Sequence, residues 1–128
     1  MSAKKFEDFP VWQASMKVTK RVYDLSARPD FCKDFGLRDQ IRRAVVSISS
    51  NVVEGFEKNN SNEFQRYLRI AKGSTGEARN QLYIARAVNY ITEDEFISVN
   101  GQLEDIASQI GGFIQYLEVR KKKNNVRS

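Results

Sequence analysis

Histidine does not occur in this sequence of 128 residues. Its absence removes the commonest general base and metal ligand near neutral pH, and with it the Ser/His/Asp and Cys/His nucleophile arrangements. Cysteine occurs once, at Cys32, so no internal disulfide can form and no Cys pair can chelate a metal. A thiol alone in a loop reads as incidental rather than catalytic. Proline occurs only at Pro10 and Pro29, positions that mark helix boundaries. No apolar run is long enough for a signal peptide or a membrane span, so a cytoplasmic protein with no membrane partner is expected. The length fits one domain that needs no staple.

Charge of one sign is also missing locally. Residues 120–128, RKKKNNVRS, hold five of the 21 basic side chains and no acid, so the formal charge of +5 resides there while 16 basic groups balance 16 acidic ones over residues 1–119. Residues 1–119 are therefore read as the folded domain, and 120–128, with Lys121, Lys122 and Lys123, as a disordered basic tail.

The periodicity is helical almost throughout, and four segments emerge. The first follows Pro10 and places Trp12, Met16, Val22 and Leu25 among its apolar positions. The loop SARPDFCKDFG follows. The second runs from about Leu37 to Phe56 with Leu37, Ile41, Val45, Ile48, Val52 and Phe56 in one stripe. Val46, Ser49, Ser50 and Val53 lie beside it, and Gly55 with the run EKNNSN ends the helix. The third opens at Asn60 or Ser61 as cap and carries Phe64, Tyr67, Leu68, Ala71, Thr75, Ala78, Leu82 and Ala85. The fourth starts on the capping box Thr92/Glu95 and continues through Phe96, Val99, Leu103, Ile106, Ile110, Phe113 and Leu117. Short links between long helices with one stripe each predict an all-α, antiparallel, up-down-up-down four-helix bundle.

Carboxylates remain for acid/base or metal chemistry, but a bundle di-metal site needs Glu-x-x-His pairs, which are absent. Glu93, Asp94 and Glu95 complement a helix start, and Glu104 with Asp105 lie opposite the apolar seam. Gly73, Gly76, Gly111 and Gly112 fall inside helices, so no phosphate cradle is predicted, and Gly73-x-x-Gly76 reads as a site of close helix approach. No catalytic residue, metal or cofactor is expected.

The stretch Arg42 to Phe56, RRAVVSISSNVVEGF, has serines and an asparagine where a surface helix normally carries long charged side chains. Together with VWQ at Val11–Gln13, GLRDQIRRAVVSISSNVVEGF at Gly36–Phe56 and EFQRYLRIAKGSTGEARNQL at Glu63–Leu82, it resembles the four-helix bundle proteins encoded in intervening sequences of bacterial 23S rRNA genes. The resemblance covers nearly the whole chain. It implies a small bundle that assembles as a ring, commonly a pentamer, with no established enzymatic activity. Related accessory proteins of retroelements associate with a reverse transcriptase and nucleic acid. The sequence departs from the family at Thr75, Ala78 and Arg79, where larger apolar residues or an acid are usual.

Two functional readings follow. In the first, the chain binds RNA or DNA through a basic stripe of the third segment: Gln65, Arg69, Lys72, Gly76, Arg79, Tyr83 and Arg86 fall at successive helical steps, with Arg66 beside them and Lys121, Lys122 and Lys123 as a second contact. In the second, the chain is a scaffold for a protein partner, and the stripe is consumed in self-assembly. Residues 87–119 contain six acids and no base, a negative helix that can pair with a neighbour's positive one. The expected self-association residues are Arg43, Ser47, Ser50, Asn51 and Glu54 on one side and Glu104 and Asp105 on the other.

Overall fold

The computed structural model describes residues 5–127, with side chains described to Lys123. After a 3-10 turn at Phe6–Asp8 come α1 (Pro10–Ser26), the short α2 (Pro29–Lys33), α3 (Phe35–Glu57), α4 (Ser61–Ala87) and α5 (Glu93–Arg127). No strand occurs among the described residues. Helices α1, α3, α4 and α5 form the antiparallel bundle: α3 packs on α1 and α4, and α5 packs on α4 and α1, so the four stand at the corners of a square in the order α1, α3, α4, α5.

The helix starts are set by side chains at the expected places. Asn60 Oδ1 accepts from the Glu63 amide at 3.0 Å, which selects Asn60 rather than Ser61 as the α4 cap. Thr92 and Glu95 exchange both capping-box bonds, at 2.9 and 3.1 Å. Asn59 and Asn89 turn the chain out of α3 and α4 with positive φ, which asparagine tolerates better than most residues.

The core follows the stripes of α3, α4 and α5: Ile41, Val45, Ile48, Val52, Leu68, Ala71, Ala78, Leu82, Val99, Leu103, Ile106 and Ile110 are buried. Five local expectations are corrected. In α1 the inward positions are Val11, Ser15, Val18, Val22 and Leu25, while Trp12 is half-buried and Met16 exposed. The buried Ser15 is accommodated because its hydroxyl donates to the Val11 carbonyl at 2.7 Å. On α3, Val46 and Ser50 are exposed and Val53 half-buried, so of the four residues beside the stripe only Ser49 widens the core.

The segment read as a loop contains α2, because Pro29 pre-sets a first helical turn and Phe31 anchors it in the core, stacked on Tyr90 at 5.2 Å. Asp34, between the two helices, caps α3 through the Leu37 amide and accepts the Tyr90 hydroxyl at 3.0 Å. That bond raises the Tyr90 pKa, because ionising the phenol beside a carboxylate is disfavoured.

The glycines behave differently from the sequence reading. Gly73 and Gly76 have open space where a Cβ would be, so they do not mediate helix approach. Gly55 does: a Cβ there would lie 2.7 Å from Tyr67 Cβ and 3.0 Å from the Phe64 ring, so it is a packing residue inside α3 rather than a helix stop. Gly55→Ala is therefore expected to destabilise the bundle by about 1–3 kcal/mol in a chemical-denaturation measurement, despite the better helix propensity of alanine. Stability equal to or above that of the parent chain would show that α3 and α4 do not approach so closely.

Helix α5 also runs on past residue 119, through Arg127. Cationic side chains are favourable at a helix C-terminus, where the carbonyl ends carry partial negative charge. Lys121 ties this extension to the start of α4 by donating to Asn62 Oδ1 at 2.6 Å. Ser128 and the Arg127 side chain of the basic run lie outside the described residues.

Candidate nucleic-acid and self-association surfaces

Three of the four α4 arginines face α5. Arg69 pairs with Glu118 at 2.6 Å, Arg79 with Glu104 at 3.6 Å, and Arg86 with Glu93 at 3.2 Å. Arg79 also donates to Asn100 Oδ1 at 2.9 Å, and Asn100 in turn donates to Glu104 at 3.2 Å. Arg66 is held by Glu63 within α4, at 2.9 Å, a pair that lowers the Glu63 pKa and raises that of Arg66. The opposite signs read from the third and fourth segments thus meet inside one chain, along the α4/α5 seam, whereas the second of the two readings places that meeting between neighbours.

The register explains why. Positions 72, 79 and 86 step by seven along α4 and stay on the side next to α5, whose acids at 93, 104 and 118 lie on its α4-facing side. Gln65, expected on the exposed stripe, is buried on that same side, with its amide donating to Ser61 Oγ at 3.4 Å. Tyr83 packs on Phe96 with ring centroids 4.7 Å apart, and the Arg86 guanidinium lies 4.0 Å from the Phe96 centroid and 5.1 Å from that of Tyr83. Tyr83 is therefore part of the seam, although still about half exposed.

Lys72 is exposed and forms no ion pair among the described residues. Beyond the seam, Arg120, Lys121, Lys122 and Lys123 are exposed at the end of α5 and none is paired with an acid among the described residues. They adjoin the start of α4 through the Lys121–Asn62 bond. At the other end, Arg28 binds both oxygens of Glu95, which together with the Thr92 amide bond lowers the Glu95 pKa to about 2. This link from the α1–α2 turn to α5 was not foreseen, since nothing in the spacing connects the two segments.

The polar stretch of α3 lines a groove against α4. Ser47 and Ser74 share a hydrogen bond of 2.9 Å, and Asn51 donates to the Ser47 carbonyl and hydroxyl at 2.8 and 2.9 Å. Glu54 accepts the Tyr67 hydroxyl at 3.3 Å, whereas Ser50 is exposed. The groove, of about 740 Å³, runs past Ser47 and Ser74 between Arg43 on α3 and Glu77 on α4. Gln81, at its end, is 8% exposed and its Oε1 has no partner. The expected interface residues thus divide: Arg43 and Ser47 line this groove, Asn51 is bonded to Ser47, and Glu104 lies in the α4/α5 seam. Asp105 lies elsewhere, lining a groove between α1 and α5, and accepts from Gln109 at 2.8 Å. Ser74, Glu77 and Gln81, which line or end the α3/α4 groove, lie on the face of α4 away from the basic stripe. Their own helical spacing was the signal available.

No group of acidic or Cys residues able to hold a metal occurs among the described residues. Taken together, fold and surfaces define a small all-α bundle whose polar side chains form ion-pair seams and grooves. The chain belongs to the 23S rRNA-intervening sequence protein family, whose profile it matches over residues 7–112. Among solved structures it is similar to a protein of unknown function from the S23 ribosomal protein family of Bacteroides thetaiotaomicron, at 24% identity and a TM-score of 0.75, covering 81% of this chain and 97% of that one. That likeness supports the fold. No curated protein matches the chain.

Proposed function

We propose that this chain is a non-catalytic, self-associating bundle of the bacterial cytoplasm that holds RNA by its phosphates, chiefly through the basic end of α5. The observation that carries this reading is the distribution of unpaired charge. Arg66, Arg69, Arg79 and Arg86 each have an acidic partner in the same chain, whereas Arg120 to Lys123 have none among the described residues. An unpaired cation gives its full charge to a phosphate, while a paired one must first give up its carboxylate. Lys72 and, at the seam's edge, Arg69 extend the phosphate track along α4. Tyr83 and Arg86 contribute at its far end. Assembly into a ring, as the resemblance implies, would bring several such ends together and multiply a modest affinity.

The test is filter binding of a structured RNA across a salt series, comparing the parent chain with a Lys121→Gln/Lys122→Gln/Lys123→Gln variant. The slope of log affinity against log salt should fall by about 2–3 units, with affinity reduced by one to three orders of magnitude at low salt. Unchanged slope and affinity would overturn the reading. They would favour the alternative, a protein-binding scaffold with no nucleic-acid role for the bundle, which the polar groove between α3 and α4 supports.

A further inference from the structure

We infer that the groove between α3 and α4 is a binding site for a free α-amino acid with an apolar side chain. The inference goes beyond the reading above and rests on neither RNA binding nor self-association. At about 740 Å³ the groove has the size of a small-molecule site. Its walls carry charge of both signs: Arg43 on α3 and Glu77 on α4 are exposed and form no ion pair with each other or with any other group among the described residues. Gln81 stands at one end, more than nine-tenths buried, and its Oε1 has no donor. A buried carbonyl oxygen in that state costs free energy until a donor arrives.

The hydrogen bonds of the floor determine which polar groups can enter. Ser74 donates to the Ile70 carbonyl at 3.2 Å, so the Ser47 hydroxyl is the donor in the 2.9 Å bond to Ser74, and Asn51 donates to Ser47 at 2.9 Å. Both hydroxyl hydrogens are used, and each serine oxygen keeps one acceptor position for an incoming donor. The α4 side therefore offers acceptors at successive turns, Ser74, Glu77 and Gln81, which suits the three N–H bonds of an ammonium group. Rotation of the Gln81 terminal amide, a soft torsion, turns its oxygen onto the ligand. Across the groove Arg43 offers only donors, in the fork geometry that binds a carboxylate through two parallel bonds. An anion alone would be repelled by Glu77 and a cation alone by Arg43, so the matched ligand carries both charges.

Register and shape narrow the class further. The Ser47–Ser74 bond aligns the two antiparallel helices: four residues back along α3 and four on along α4 place Arg43 opposite Ala78, next to Glu77. One residue is about 1.5 Å of helix rise, so the two charges flank a single level of the groove. Their Cα–Cβ bonds tilt toward the N-termini of antiparallel helices, hence in opposite directions, which keeps the two side chains from closing on each other. A ligand that bridges them has its ammonium and carboxylate close together, as on the single carbon of an α-amino acid, and not at the two ends of a long chain. From that level the groove continues past Gly73, where a Cβ would meet nothing within 4 Å, to Ile70, which is 43% exposed. This open stretch accepts a branched aliphatic side chain, which would cover the exposed part of Ile70.

Calorimetric titration of the full chain with L-leucine tests the site, with saturation-transfer NMR for the weaker ligands. A dissociation constant on the order of 0.1 mM is expected, and glycine should bind about tenfold more weakly because it leaves Ile70 uncovered. Arg43→Gln and Glu77→Gln should each weaken L-leucine about tenfold to a hundredfold, the loss of one charge-assisted contact, with parental helicity because both side chains are exposed. N-acetyl-leucine, which lacks the ammonium, should bind the parent weakly and lose nothing more in Glu77→Gln. Leucinamide, which lacks the carboxylate, should behave in the same way with Arg43→Gln. Gly73→Leu should abolish binding by filling the groove with its own side chain, a change the helix tolerates because leucine is the better helix former. The Lys121→Gln/Lys122→Gln/Lys123→Gln variant should bind L-leucine as the parent does, so the RNA reading and this site fail separately. Absence of L-leucine binding by the parent, glycine binding as tightly, undiminished binding by Gly73→Leu, or a further loss of N-acetyl-leucine in Glu77→Gln overturns the inference.

Discussion

Phe9→Ala is expected to lower the folding free energy by about 3–5 kcal/mol, measured by denaturant unfolding at matched protein concentration. Phe9 is only 2% exposed, although it precedes the first helix. Its ring centroid is 4.9 Å from Phe56, 5.3 Å from Phe113 and 6.3 Å from Phe64, so it touches α3, α4 and α5 at once. Two of the contacts are edge-to-face, the arrangement the ring quadrupole favours. Truncation would remove a large apolar surface and leave a void bounded by three rigid helices that cannot collapse onto it. For a domain with about 5–15 kcal/mol in total, such a loss approaches global unfolding. A change below about 1 kcal/mol would mean that the residues before α1 are not part of the core.

Phe9 shows where the sequence stops being informative. The stripes of α4 and α5 were legible because each has a steady alternation of three and four over many turns, and both caps were recognisable from side-chain chemistry. Phe9 belongs to no such pattern: it sits outside the helix that follows it, and only the packed bundle shows that it closes one end. Phe31 was missed for the same reason, since a five-residue helix is too short to display a period. Met16 and Trp12 misled in the other direction, because large apolar side chains outweighed the smaller Val18 and Ser15 that actually face inward. Gly55 is the third kind of miss. A glycine near a helix end reads as a stop, and only the distance to Tyr67 reveals a close crossing.

The candidate surfaces were legible as residue types but not as partnerships. Counting charges identified a basic α4 and an acidic α5, yet the count cannot say whether opposite charges meet within a chain or between chains. Adjacency in the bundle decides it for Arg69, Arg79 and Arg86, whose partners follow from the helices being neighbours. That pairing moves the weight of free positive charge to the end of α5. Arg43 and Glu77, in the α3/α4 groove, form no ion pair among the described residues. Surface pairs of this type contribute little to stability, about 0–1 kcal/mol each, so their consequence lies in which faces can attract a partner rather than in holding the bundle together.

Ile48→Ala is expected to cost about 2–5 kcal/mol, against less than about 0.5 kcal/mol for Val46→Ala two positions away. Ile48 is fully buried at the middle of the α3 stripe, between Val45 and Val52, whereas Val46 is 40% exposed. Removing the branched side chain from Ile48 forfeits its transfer free energy and opens a cavity among helices fixed by their other contacts. At Val46 the lost methyl groups are already partly in water. The pair separates two properties of the polar stretch Arg42 to Phe56: its apolar positions form the core, and Ser47 on its other side meets α4 through Ser74. The measurement is the shift in denaturant midpoint at constant m, which isolates stability from changes in the unfolded chain. Similar shifts for the two variants would mean that α3 is rotated about its axis, and with it the direction in which Arg43 and Ser47 face.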